Sequence, residues 1–315
     1  MRKIDEVIRD HRVIGITAHI RPDGDAIGSC LGLWNYLTKK YQDRDIRVYL
    51  DPLPDKFLFL PGASQVRQVG EERKFDLFIT LDCGAIDRIG PAARYFYAAK
   101  ETVCVDHHVR MGDFARINYI FPDASSTSEL IFDLIDQELL DDKIAQCLYM
   151  GIAHDTGLFQ YSCTSEKTMR IAGRLMSTGI DYSGIIDATF SARSFAQNRI
   201  LGHALDKARL YANGSFVASY ITKEEMDAYG VAASDLDQIV SQLRITKGVE
   251  VACFLYQVGE DDFKVSFRSN GRIDVAALAM EYGGGGHVRA AGCNTSLEPE
   301  EAIRLFADRV EDLLS

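Results

Sequence analysis

The sequence predicts an α/β protein: an N-terminal parallel-sheet domain with helices on both faces, a helical connector, and a smaller C-terminal α/β domain. Three observations predict it. From residue 13 short apolar runs alternate with segments of helical periodicity, residues 165 to 208 are helical in pattern almost throughout, and strand-like runs resume at Ser215. A chain of 315 residues, 47% hydrophobic and 26% charged, suits two cores better than one. The domains are expected at 1–190 and 210–315, with the boundary between 185 and 210.

The elements follow in order. Val13 to Ala18 reads as the first strand, with a helix near Ala26 to Tyr41 behind it. Ile46 to Leu50, Phe75 to Leu81 and Thr102 to Val105 continue the βαβ rhythm that makes a sheet parallel. Ser126 to Leu139 and Asp142 to Ala153 read as helices, the first capped by Ser125 or Ser126. In the second domain Ser215 to Ile221, Val249 to Val258 and Phe263 to Phe267 are strands. The one anomaly of composition is the run Gly283 to Gly286.

Composition excludes several classes. No apolar run approaches the roughly 18 residues that cross a bilayer, and Met1 to Arg12 is charged, without a secretory apolar core. Seven cysteines are scattered with no CxxC pair, so they are expected reduced, in a cytoplasmic protein. Thirty-five basic against 46 acidic residues give a net charge of −11, which repels a long duplex nucleic acid and favours short substrates. No GxGxxG opens the first helix, no GxSxG appears, and no P-loop lysine follows the glycines.

The chemistry gathers at strand ends. His19-Ile-Arg-Pro-Asp23-Gly-Asp25 follows the first strand, Asp82 follows the strand ending at Leu81, and Asp106-His107-His108 follows Val105. The carboxyl edge of an open α/β sheet is where ligands bind. Pro22 and Gly24 would hold this loop in a tight bend that points its three candidate ligands inward, although Asp-Gly-Asp taken alone reads more readily as a polar turn capping a helix. Three strands ending in carboxylate or imidazole favour a site, and Gly151-Ile-Ala-His154-Asp155 adds a charged pair at the end of an apolar helix.

The candidate ligands are His19, Asp23, Asp25, Asp82, His107 and Asp155. Oxygen and imidazole donors together suit Mn, Fe or Co better than Mg. Four carboxylates among these residues are brought to neutrality by two divalent cations. Two ions about 3.5–4 Å apart activate water and clamp the oxygens of an in-line phosphoryl displacement. Phosphate charge then calls for partners elsewhere, and the second domain offers Arg268 and the segment Gly283-Gly-Gly-Gly286-His287-Val-Arg289-Ala-Ala-Gly292, in which Gly285, Gly286 and His287 are anion-binding candidates. That segment is expected to enter a helix at close quarters.

These motifs in this order resemble the DHH phosphoesterases, and with the Gly-rich His segment the chain resembles their bacterial oligoribonuclease (nanoRNase) and pAp phosphatase branch. The resemblance spans nearly the whole chain. It implies that His19, Asp23 and Asp82 hold one Mn and Asp25, Asp82, His107 and Asp155 the other, Asp82 bridging. It further implies that Asp106 orients His107, and that His108 faces substrate phosphate while Arg268 and His287 grip the nucleotide's other phosphate across an interdomain cleft. The implied reactions are hydrolysis of very short RNAs to mononucleotides and of 3′-phosphoadenosine 5′-phosphate (pAp) to AMP. A cyclic di-AMP or pApA phosphodiesterase is the alternative, and monomer and homodimer are both left open. Short oligonucleotides and small nucleotides are the expected partners, with no membrane.

Overall fold

The computed structural model describes residues 4–108, 113–236 and 238–314. Met1 to Lys3, the start of the charged N-terminal stretch, lie outside the described residues. The chain divides into two compact units, Met1–Ala192 and Arg193–Ser315.

Unit 1 contains α1 (Ile4–Ile8), β1 (Val13–Thr17), α2 (Gly24–Lys40), β2 (Asp45–Tyr49), β3 (Val66–Arg67), β4 (Leu77–Leu81), α3 (Ala93–Ala98), β5 (Glu101–Asp106), β6 (Ile117–Ile120), α4 (Thr127–Leu134), α5 (Asp142–Asp155), α6 (Glu166–Met176) and α7 (Tyr182–Ile186). The six strands form one parallel sheet in the order β3-β2-β1-β4-β5-β6. In β4 the side chains alternate: Leu77, Ile79 and Leu81 face the larger core with α2, α4 and α5, and Phe78 faces an aromatic cluster with Phe75, Tyr95 and Phe96. All five residues of β4 are buried, which explains why a nearly continuous apolar run, broken only by Thr80, marks it in the sequence. The connection from β4 to β5 is a 3-10 segment and the short α3 in place of a full crossover helix.

Unit 2 contains α8 (Phe195–Lys207), β7 (Arg209–Tyr211), β8 (Phe216–Ile221), α9 (Lys223–Tyr229), α10 (Ile239–Arg244), β9 (Val251–Gln257), β10 (Phe263–Ser269), α11 (Val275–Glu281), β11 (Gly285–His287), β12 (Ala290–Thr295) and α12 (Pro299–Leu314). Its sheet runs β11-β12-β10-β9-β8-β7, antiparallel except for the β8–β9 pair. Val251, Cys253 and Leu255 of β9 pack with α11 and α12 on one face, Ala252, Phe254 and Tyr256 with α8 and α10 on the other. Each fully buried Leu or Phe contributes about 1.5–3 kcal/mol, so the sheet has a core of its own on both sides. Among the described residues no helix is long and apolar enough to cross a membrane.

Candidate metal centre and phosphate-binding row

Because β1, β4 and β5 are adjacent and parallel, their carboxyl ends lie side by side. His19 follows β1 after Ala18, Asp82 directly follows β4, and Asp106 closes β5 ahead of His107 and His108. Asp23 is both a candidate ligand and the N-cap of α2, accepting hydrogen bonds from the amides of Asp25 (3.0 Å) and Ala26 (3.1 Å). The polar-turn reading and the site reading of Asp-Gly-Asp therefore describe one structure.

Glycines bring the remaining ligand in. Gly24, Gly28 and Gly32 recur every fourth residue on α2 and form the stripe that meets α5. A Cβ on Gly28 would lie 2.6 Å from the Cys147 carbonyl oxygen and 2.9 Å from Gly151 Cα, and one on Gly24 would overlap the His154 ring. Gly24 sits inside α2 and serves close packing, so the bend expected of it belongs instead to Arg21, whose φ is +52°. The near contact of the helix backbones sets Asp155, at the end of α5, beside Asp23 and Asp25.

The six candidate ligands fall into two groups, each with ligand atoms within 4.8 Å of one another: His19, Asp23 and Asp82, and Asp25, His107 and Asp155. Asp82 lies between the groups and turns one oxygen to each. Its Oδ2 is 3.7 Å from His19 Nε2 and its Oδ1 is 3.5 Å from His107 Nε2. Asp82 itself has φ +52°, a strained conformation for a residue with a side chain, held by its amide donating to the Val105 carbonyl at 3.0 Å.

These donors suit divalent cations. His19 Nδ1 donates to the Ile20 carbonyl (2.9 Å) and His107 Nδ1 to that of Ala124 (3.3 Å), so both rings turn Nε2 into the acid cluster. His107 Nε2 is buried 3.0 Å from Asp155 Oδ2 yet off hydrogen-bond geometry, and has no hydrogen-bond partner among the described residues. Without cations the shell is under electrostatic load. Burial, then the charges of Asp82 and Asp155, push Asp25 well above the usual carboxylate range. Burial opposes charge on His107 too, but Asp155 and Asp82 override it and raise it to about 12.

Two features escape a residue-by-residue reading. His154 forms a further group with Asp23 and Asp155; its signal in the sequence is only adjacency to Asp155. The N-terminus of α4, capped by Ser126, points two amides at Asp25: Thr127 N to Oδ2 at 2.6 Å and Ser128 N to Oδ1 at 2.9 Å. The Thr127 hydroxyl donates to Asp82 Oδ1 at 3.1 Å. Four small polar residues, Ser125 to Ser128, ahead of an apolar helix were the available sign.

One expected partnership is different. Asp106 was expected to orient His107, but its Oδ1 accepts from the amide (3.2 Å) and Nδ1 (2.8 Å) of His108. The physical reason is local: a fully buried strand-end carboxylate meets the residue two positions on, where the chain turns.

In unit 2 the Gly-rich segment makes a hairpin, and the expected helix entry is corrected. Gly285–His287 form β11, paired with Ala290–Thr295, because Gly286 (φ +149°) and Gly284 lie where a Cβ would strike β12. Register places Arg268 opposite Ala290 on one side and His287 opposite Ala290 on the other. Directly paired residues share a face, so Arg268 and His287 flank a small alanine. His287, Gly285 and Gly286 are exposed and Arg268 is half-buried.

Residues 13–152 match the DHH family, N-terminal domain, and residues 213–315 match the DHHA1 domain. The bifunctional oligoribonuclease and PAP phosphatase NrnA of Bacillus subtilis is 30% identical over 295 residues, covering 92% of this chain and 91% of that protein. The chain belongs to the DHH family of phosphoesterases. A protein of the same name from Thermus thermophilus is 29% identical over 322 residues, covering 100% of this chain and 94% of its own. Among solved structures, an exopolyphosphatase-related protein from Bacteroides fragilis superposes with a TM-score of 0.89 at 29% identity, covering 99% of this chain and 96% of that one. As a DHH phosphoesterase the chain is a hydrolase of phosphoester bonds.

Proposed function

We propose that this protein hydrolyses short oligoribonucleotides to mononucleotides and removes the 3′ phosphate of pAp, with two divalent cations, Mn foremost, held by a catalytic domain at 1–190 and a phosphate grip supplied by a substrate-binding domain at 210–315. The observation that carries the reading is Asp82, with one oxygen toward each of two donor groups. His19, Asp23 and Asp82 would hold one ion, and Asp25, Asp82, His107 and Asp155 the other. Bound there, the ions supply an activated water at neutral pH and neutralise charge on the phosphoryl oxygens. His108 pairs through Nδ1 with Asp106, which leaves Nε2 to meet a phosphate oxygen in a set orientation. Arg268 and His287 flank Ala290 and hold the nucleotide's other phosphate, while Gly285 and Gly286 let it approach the backbone.

Both NrnA relatives carry the two activities in their names and align over most of their length, which supports the substrate choice. Among the described residues no two of the seven cysteines form a disulfide, which supports a cytoplasmic location. A time course with Mn on pAp, pApA, cyclic di-AMP and a long RNA tests the reading. Rapid cleavage of pAp and pApA with the other two spared is expected, and Asp82→Ala should lower kcat by about 10³-fold or more. Preference for cyclic di-AMP would replace this reading with that of a cyclic-dinucleotide phosphodiesterase.

A further inference from the structure

Asp82 is not alone among the described residues in turning its two oxygens toward different histidines. Asp155 sets Oδ2 3.0 Å from His107 Nε2 and Oδ1 3.9 Å from His154 Nδ1. His154, Asp23 and Asp155 bring ligand atoms within 4.8 Å of one another, so they make a third donor group that shares Asp23 with the His19 group and Asp155 with the His107 group. Asp23 Oδ1 is committed to the amides of α2, and its Oδ2, 3.8 Å from His19 Nε2, is the oxygen left for either neighbour. Each of the other two groups contains a buried residue; this one contains none, and the His154 side chain is 27% exposed. A cation can reach it from solvent.

The His154 ring is held in place by packing. It lies on Gly24, where a Cβ would come 2.4 Å from Cγ and 2.5 Å from Cδ2. The rings of Phe190 and Phe57 lie beside it, with centroids at 5.5 and 6.3 Å. An imidazole fixed by its neighbours has less rotamer freedom to lose when its nitrogen takes a ligand.

We propose that Asp23, His154 and Asp155 form an outer cation site that takes late first-row divalent ions such as Zn ahead of Mn, and that its occupation inhibits the enzyme. Affinity for donors of this kind rises from Mn to Zn, and Zn accepts imidazole and carboxylate together with only three protein ligands. An ion here draws on Asp23 Oδ2 and on Asp155, which the inner pair would also use. It also adds two positive charges beside a shell whose four carboxylates two cations would neutralise. Filling the outer site therefore loosens the inner one. The site stands on its own donors; only its inhibitory effect rests on the function proposed above.

The test titrates Zn into the full chain in excess Mn, following binding by calorimetry and, in parallel, the hydrolysis of pAp. His154→Phe keeps a ring on Gly24 and removes both nitrogens, and His154→Leu guards against a folding failure of the first. Each variant should bind Zn at the outer site about tenfold more weakly. The Zn concentration that halves hydrolysis, taken against each protein's own Zn-free rate, should rise by the same factor. Exchange of Zn for Mn at the inner pair is common to all the proteins and leaves that ratio unmoved. His11→Ala, at a histidine bonded to the Val7 carbonyl, should match the unmodified protein. Unchanged Zn binding in both His154 variants overturns the site. Weaker binding with unchanged inhibition overturns the inhibitory role. If the unmodified protein binds Zn through His154 yet does not cleave pAp with Mn, the site stands and the reaction was misread.

Discussion

The candidate metal centre of unit 1 and the basic row of unit 2 are assembled in opposite ways. The first collects side chains from three strand ends and from α2 and α5, and shuts the carboxylates of Asp25 and Asp82 away from solvent. The second lies on three neighbouring strands at one sheet edge, with His287 in solvent. Burying like charges together costs folding free energy unless cations neutralise them, whereas a half-buried arginine beside an exposed histidine costs less. Unit 1 therefore carries the charge of its candidate ligand set into its own stability, whereas the basic row puts no comparable load on unit 2.

The sharpest way to break that contrast is to remove the cations. With a chelator, hydrogen exchange should speed up by about tenfold or more at β4, β5 and the ends of α2 and α5, and stay unchanged in β8, β9 and β10. Equal acceleration in both units would end the distinction. The cation-free protein should also be sensitive to base. The pKa of His107 is raised from its usual 6.5 to about 12 in the folded state, so its contribution is present below about 6.5 and is lost as pH rises toward 12. Adding a divalent cation should remove that dependence, since the ligands then bind metal without protons.

A smaller effect probes the helix contact that delivers Asp155. Gly151→Ala places a Cβ into Ser128 Oγ and 2.9 Å from Asp25 Oδ1, and should destabilise unit 1 by about 1–3 kcal/mol. Ser128 Oγ is itself buried without a hydrogen-bond partner among the described residues, so adding Ser128→Ala should return part of the loss in a thermal melt. No recovery would place the strain at Asp25 instead.

The smallest expected effect belongs to unit 2 and has the opposite pH sign. Burial works against the charge of Glu225, but hydrogen bonds from His203 and Lys207 and from the Thr222 amide bring it down to about 2. Its contribution is present above the usual 4.5 and is lost as pH falls toward 2. Glu225→Gln should lower stability at pH 7 by about 1 kcal/mol and flatten the acid limb of a melt series. An unchanged acid limb would assign that sensitivity to other groups.

Much of unit 1 was legible because its signals are local. A strand buried on both faces must be a nearly continuous apolar run, so Leu77–Leu81 announces itself, and a carboxylate directly after such a run stands at the ligand edge of a parallel sheet. His19, Asp23, Asp25, Asp82 and His107 could be picked out for that reason, and Asp155 because a charged pair ends an apolar helix. The opposite holds for Gly283 to Gly286: glycine permits a loop, a helix entry or a strand, and only the backbone of β12 lying against Gly284 and Gly286 selects the strand.

By itself, then, the sequence determined the parallel sheet, the elements that carry the ligands and the residue types available at each strand end, because periodicity and burial are properties of consecutive residues. Tertiary structure alone decided who meets whom. It turned the two oxygens of Asp82 toward different histidines, gave Asp106 to His108, aimed the α4 amides at Asp25 and laid the His154 ring on Gly24. Those pairings join residues by distance in space, and distance in space is set by how whole helices and strands pack, which no local pattern records.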